Sequence, residues 1–97
     1  MKAIRFYAEA KIEYDDALAA SPDPRSFQRD VDESLSAIAS GIIVHRSVAR
    51  TRIFKECVLT RLPYSIVYRD EVDAIRVVAF AHKKRRRGYW KSRLKPS

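Results

Sequence analysis

The sequence predicts an α+β domain in which two N-terminal helices pack on one face of a small antiparallel β-sheet, followed by a basic C-terminal tail. Three observations carry this. Apolar residues recur at helical spacing through about the first 40 positions, and the pattern then changes to short runs rich in β-branched and aromatic side chains. The polar link Asp70-Glu-Val-Asp73 joins the last two of those runs closely enough for a hairpin. A length of 97 residues, 46% of them apolar and only two of them glycine, suits one folded domain with a small core.

The elements follow in order. Lys2 to Phe6 is a short apolar segment that reads as a strand, and Glu9 to Ala20 is rich in helix formers, with Tyr7, Ala10, Tyr14, Ala17 and Leu18 near one face. Ser21-Pro-Asp-Pro24 ends that helix. Asp23 and Pro24 suit the N-cap and first turn of a second helix running to about Ser40, whose apolar stripe is Phe27, Val31, Leu35 and Ile38. Gly41 supplies its stop. Thr51 to Leu59, Tyr64 to Arg69 and Ala74 to Ala81 read as three strands of a meander. Pro63 places the second of these at a strand start or an edge, and Tyr64, Ile66 and Tyr68 share its core-facing side. With both helices on one face, the other face is left for a ligand or partner.

Composition excludes several classes. No apolar run approaches the roughly 20 residues of a membrane span, and Met1 to Phe6 lacks the apolar centre of a signal peptide, so a cytoplasmic protein is expected. One cysteine, Cys57, forms no internal disulfide, and with two distant histidines the sequence offers no zinc-ligand spacing, no metal site and no cofactor. Two glycines cannot build a phosphate-cradling loop. The formal net charge of +8 is uneven: residues 1–40 hold five Lys/Arg against eight Asp/Glu, a net of −3, and residues 41–97 hold fifteen against four, a net of +11. The second half is therefore the anion-facing half, suited to nucleic acid, anionic lipid or an acidic protein, and charge alone does not choose among them.

Leu62-Pro-Tyr-Ser-Ile-Val-Tyr-Arg69, then Ile75-Arg-Val-Val-Ala-Phe-Ala-His82, then Arg85-Arg-Arg-Gly-Tyr-Trp90 with Arg93 resembles the RelE/ParE superfamily of type II toxin–antitoxin toxins. Arg87 stands where that pattern usually has proline, and Leu62 where phenylalanine is common. The resemblance implies a toxin held inactive by a cognate antitoxin encoded in a neighbouring gene. RelE-like members cut messenger RNA on the ribosome, whereas ParE-like members inhibit DNA gyrase without cleaving nucleic acid, so mechanism has to be argued from the site.

Metal-free RNA cleavage needs a base for the 2′-hydroxyl, an acid for the 5′-oxygen and cations for the transition state. His82, at the exit of the last strand, is the natural proton carrier because an imidazole titrates near neutrality. Tyr89 joins it if nearby arginines lower its pKa. Arg85 and Arg86 suit bidentate phosphate binding, with Lys83 and Lys84 beside them. Arg50, Arg52 and Lys55 on the preceding strand extend the cationic surface. Glu56, adjacent to Lys55, points to the opposite face and ranks low as a base. Trp90 offers a flat face for a nucleobase or, equally, an anchor for the tail.

Overall fold

The computed structural model describes residues 2–41, 46–47 and 54–94. Strand β1 (Ala3–Phe6) leads into helices α1 (Ala8–Ala20) and α2 (Pro24–Ala39). Strands β2 (Arg46–Ser47), β3 (Phe54–Val58), β4 (Tyr64–Asp70) and β5 (Ala74–His82) follow, and a 3₁₀ turn (Tyr89–Leu94) closes the described chain. The helix boundaries follow local chemistry. The Asp23 carboxylate accepts the Ser26 amide at 3.2 Å with Pro24 in the first turn, and Gly41 takes φ +73° just beyond α2.

Ala10, Tyr14 and Ala17 of α1 and Phe27, Val31, Leu35 and Ile38 of α2 are buried against Ile66, Tyr68, Ile75, Val77 and Phe80 of the sheet. Both helices thus cover one face, and Tyr14, Phe27, Tyr64 and Phe80 knit that core through ring contacts.

Strand order is β1-β5-β4-β3-β2, and the sheet departs from the expected meander in two respects. First, it is not wholly antiparallel: β1 lies parallel to β5, with Ala3 opposite Ala74 and Phe6 opposite Val77. Parallel neighbours need a long crossover, and the helical pair plus the intervening strands provide it. Second, Arg46–Ser47 adds a short strand beside β3, pairing Arg46 with Glu56. The expected strand from Thr51 is described from Phe54 onward, since residues 51–53 lie outside the described residues. The β4–β5 hairpin forms as anticipated, with Glu71 N–H donating to the Ala74 carbonyl.

An irregularity in β5 changes which way its side chains point. Val67 pairs with Ala79 and Tyr68 with Val77, so Val78 is an extra residue on β5. The bulge turns Val78 and Ala79 toward the same side, where they meet Val67 and Trp90, while Val77 and Phe80 face the helices. Part of the face opposite the helices is therefore covered, because the 3₁₀ turn docks on it, while Val58 on β3 remains exposed there. Trp90 is 5% exposed and meets the Phe54 ring at 5.7 Å.

Candidate functional site

Beyond Phe6 the strand β1 gives out, Tyr7 N–H donates to the Val77 carbonyl at 2.8 Å, and the remaining edge of β5 has no neighbouring strand among the described residues. Two side chains complete it. Phe80 N–H donates to Glu13 Oε1 at 3.1 Å, and Arg93 Nη1 donates to the carbonyl of the bulged Val78 at 3.0 Å. Glu13 and Arg93 are joined to each other by Nη1 to Oε1 at 2.8 Å and Nη2 to Oε2 at 3.0 Å, a bidentate pair whose side chains are only 15% and 13% exposed. Tyr89 adds its hydroxyl, donating to Glu13 Oε2 at 2.5 Å. One carboxylate thus binds helix α1, the edge of β5 and the C-terminal 3₁₀ turn together.

This clamp carries the basic turn. Lys83 N–H donates to the Pro63 carbonyl and Arg85 N–H to the His82 carbonyl, each at 2.9 Å, so the chain reverses at once after β5. Gly88, at φ +76°, closes the segment; a Cβ there would stand 2.9 Å from Lys91 Cε in a backbone region that glycine tolerates best. Lys83 through Arg87 are all exposed. Arg85 lies over the Tyr89 ring, its guanidinium carbon 3.8 Å from the centroid, and its Nη1 is 4.0 Å from Glu13 Oε2. Arg93 sits 5.1 Å from the same ring.

The electrostatics follow from burial and from these bonds. For Glu13, burial pushes the pKa upward, but hydrogen bonds from Arg93, Tyr89 and the Phe80 amide outweigh it, and the net shift is downward. Tyr89 is pushed up to about 12, by burial first and by its hydrogen bond to Glu13 second, with Arg93 and Arg85 only partly opposing. The arginines do act to lower this phenol, but burial and Glu13 outweigh them, so the condition set for its role in proton transfer is not met. Burial first and the hydrogen bond to Glu13 second hold the phenol protonated at neutral pH.

His82 stands at the root of the turn, partly exposed. Its ring meets Tyr64 edge-on at 5.0 Å, and Nδ1 accepts the Lys84 amide at 3.1 Å, which places the proton of the neutral ring on Nε2. Tyr64 belongs to the helix-side core and Tyr89 packs with the opposite cluster, so the sheet end separates His82 from Tyr89. Among the described residues no contact joins them.

The other sequence-predicted residues fall in different places. Arg86 stands on the turn beside Arg85. Lys55 shares the helix-side face with Cys57 and is 3.6 Å from Asp70, whose other oxygen takes Lys2 at 2.5 Å; it lies toward the far end of β4 from His82 and does not join the turn. Trp90 has its faces filled by Phe54, Val67, Val78 and Ala79, and no base can stack on it without unpacking that cluster. Arg50 and Arg52 lie outside the described residues. Among the described residues no group of three or more His, Cys, Asp or Glu gathers as metal ligands would, and no helix is long and apolar enough to cross a membrane.

Glu13 is missing from the residues that the sequence singles out, although a signal is present. It lies three residues after Ala10 and four before Ala17, on the flank of the buried stripe of α1, where a carboxylate requires a cationic or hydrogen-bonding partner.

The architecture has counterparts among solved structures. A chain of the chromosomal ParDE toxin–antitoxin system from P. aeruginosa superposes with a TM-score of 0.62 at 15% identity, covering 84% of this chain and 96% of that one. A copper-bound mutant toxin from Helicobacter pylori superposes with a TM-score of 0.70 at 14% identity, covering 84% and 94%. The chain shares the fold of these two structures. No protein-family model and no curated protein matches it. Within this fold, the Glu13 clamp and the basic turn occupy the open edge and the exit of strand β5.

Proposed function

We propose that the protein is the toxin of a type II toxin–antitoxin module, arresting growth by metal-independent cleavage of messenger RNA on the ribosome, with the turn 83–87 as its phosphate-binding surface. One observation carries the reading: five consecutive exposed cations stand on a turn fixed to the sheet edge, with an imidazole at its root. Like charges held together repel, and a polyanion relieves that repulsion.

In this reading Arg85 and Arg86 grip phosphate with their planar guanidinium groups, while Lys83 and Lys84 add to the field. For proton transfer His82 first releases the Lys84 amide so that its ring proton moves to Nδ1; the freed Nε2 then takes the 2′-hydroxyl proton and the resulting imidazolium returns a proton from Nε2 to the 5′-oxygen. Tyr89 positions and does not react. The fold neighbour from a ParDE system supports a cognate antitoxin, a neighbouring gene product that covers the basic surface. The site of action is the cytoplasm.

A second reading, ParE-like inhibition of DNA gyrase without cleavage, is favoured by the separation of His82 from Tyr89 and the engagement of the phenol by Glu13. A translating extract and a gyrase supercoiling assay run side by side distinguish the two. Cleavage predicts ribosome-dependent cuts in messenger RNA that fall by about 10²-fold in His82→Ala, with ribosome binding retained. Intact RNA with blocked supercoiling would establish the inhibitor instead.

A further inference from the structure

We propose that Glu13 is the positioning residue of the basic turn: by pinning Tyr89 and Arg93 to the open edge of β5, it fixes the Tyr89 ring as the platform on which Arg85 is presented to a phosphate. This rests on the reading that the turn is the polyanion-binding surface.

The geometry separates the roles of the two arginines that approach Glu13. Arg93 spends its guanidinium on both carboxylate oxygens and on the Val78 carbonyl, and its side chain is nearly buried. It is committed to the fold. Arg85 is only at 4.0 Å from the carboxylate, is more than half exposed, and lies over the Tyr89 ring with its guanidinium carbon 3.8 Å from the centroid. A guanidinium stacked on a ring keeps its in-plane N–H groups free to point outward, and stacking removes much of the rotamer freedom that an exposed arginine otherwise loses on binding. The platform works only while its hydroxyl is anchored, because Tyr89 belongs to a short 3₁₀ turn with few bonds of its own. Glu13 Oε2 is that anchor. Its position on helix α1, held by Ala10, Tyr14 and Ala17 in the core, gives the anchor a rigid base.

The proposal makes a prediction opposite to simple charge counting. Glu13→Gln removes a negative charge beside the turn, so a purely electrostatic account has it tighten polyanion binding. Positioning has it weaken binding. The experiment measures the affinity of the purified full-length chain for a single-stranded oligoribonucleotide across a salt series, for wild type, Glu13→Gln, Arg85→Ala and the double variant, with the thermal midpoint of each.

Arg85→Ala is expected to weaken binding about 10-fold and to reduce the salt slope by about 0.7, the loss of one phosphate contact. Glu13→Gln is expected to weaken binding about 3-fold or more in the wild-type background and to have little further effect once Arg85 is gone. Tyr89→Phe, which keeps the ring and the fold while removing the anchored hydroxyl, is expected to show the same dependence on Arg85, and it decides the matter if Glu13→Gln does not fold. Tighter or unchanged binding in Glu13→Gln, or a loss that persists equally without Arg85, overturns the positioning role while leaving the basic turn as the binding surface. Unchanged binding in Arg85→Ala overturns both.

Discussion

The Glu13 carboxylate receives both outer N–H groups of Arg93, at 2.8 and 3.0 Å, across 80 residues of sequence. This pair substitutes for a strand along the part of β5 that β1 does not reach, since its two members also satisfy the Phe80 amide and the Val78 carbonyl. Removing Arg93 leaves a largely buried carboxylate and an unpaired bulge carbonyl. Arg93→Ala is expected to destabilise the fold by about 3 kcal/mol, a fall in Tm of about 12–24 °C for a domain of this size. Arg93→Lys is expected to recover little, because an ammonium cannot reproduce the fork. Thermal unfolding followed by circular dichroism measures both.

The same pair sets an acid limb. The folded-state pKa of Glu13 lies below its ordinary value, so its contribution to stability is present above that value of 4.5 and is lost as pH falls through the lower folded value. Asp70, held down first by its hydrogen bond from Lys2 against the effect of burial, behaves with the same sign. Wild-type Tm is expected to fall through the acidic carboxylate range, and Glu13→Gln to start lower and fall less steeply there. Parallel curves would contradict the account.

Tyr89 gives the alkaline counterpart. Its pKa is raised to about 12 against an ordinary 10.0, so the stability of the protonated phenol is complete below about 10 and is lost as pH rises toward 12. Tyr89→Phe is expected to remove part of the alkaline loss of stability. Messenger cleavage in the same variant is expected to stay within about 10-fold of wild type, because the hydroxyl positions and transfers no proton, whereas loss of a general acid or base costs about 10²-fold or more. A loss as large as that of His82→Ala would restore a chemical role to the phenol.

Trp90 is expected to act through the core. Trp90→Ala opens a cavity among Phe54, Val67, Val78 and Ala79 and is expected to cost about 3–5 kcal/mol. Its loss of RNA affinity should track unfolding and vanish at a temperature where the variant is fully folded. A folded variant with selectively weakened RNA binding would instead identify a stacking surface.

The legible parts of this protein are those encoded locally. The Asp23 cap, the stripe through Phe27, Val31, Leu35 and Ile38, the hairpin at Asp70–Asp73 and the exposed turn after His82 each depend on neighbours in sequence. What the sequence conceals is non-local. The parallel placement of β1 depends on which edge of the sheet remains open, and the bulge at Val78 shifts the side-chain phase of β5 in the middle of an unbroken apolar run. Lys55 reads in sequence as part of the tail's cationic surface, but the face of β3 is decided by its pairing with β4, which puts Lys55 beside Asp70. The direction of the Tyr89 shift is hidden for the same reason: it comes first from burial by the tertiary fold and second from a hydrogen bond to Glu13, 76 residues away.

The central claim, that the fixed basic turn is the working surface of a growth-arresting toxin, is tested most directly by inducing wild type and the Arg85→Ala/Arg86→Ala variant in cells at matched soluble levels and following growth, with the Tm of each purified chain alongside. The account predicts arrest by wild type and normal growth with the variant, at a nearly unchanged Tm, because exposed charges contribute little to folding. Undiminished arrest by the variant, or a fall in Tm large enough to explain the loss of arrest, would contradict it.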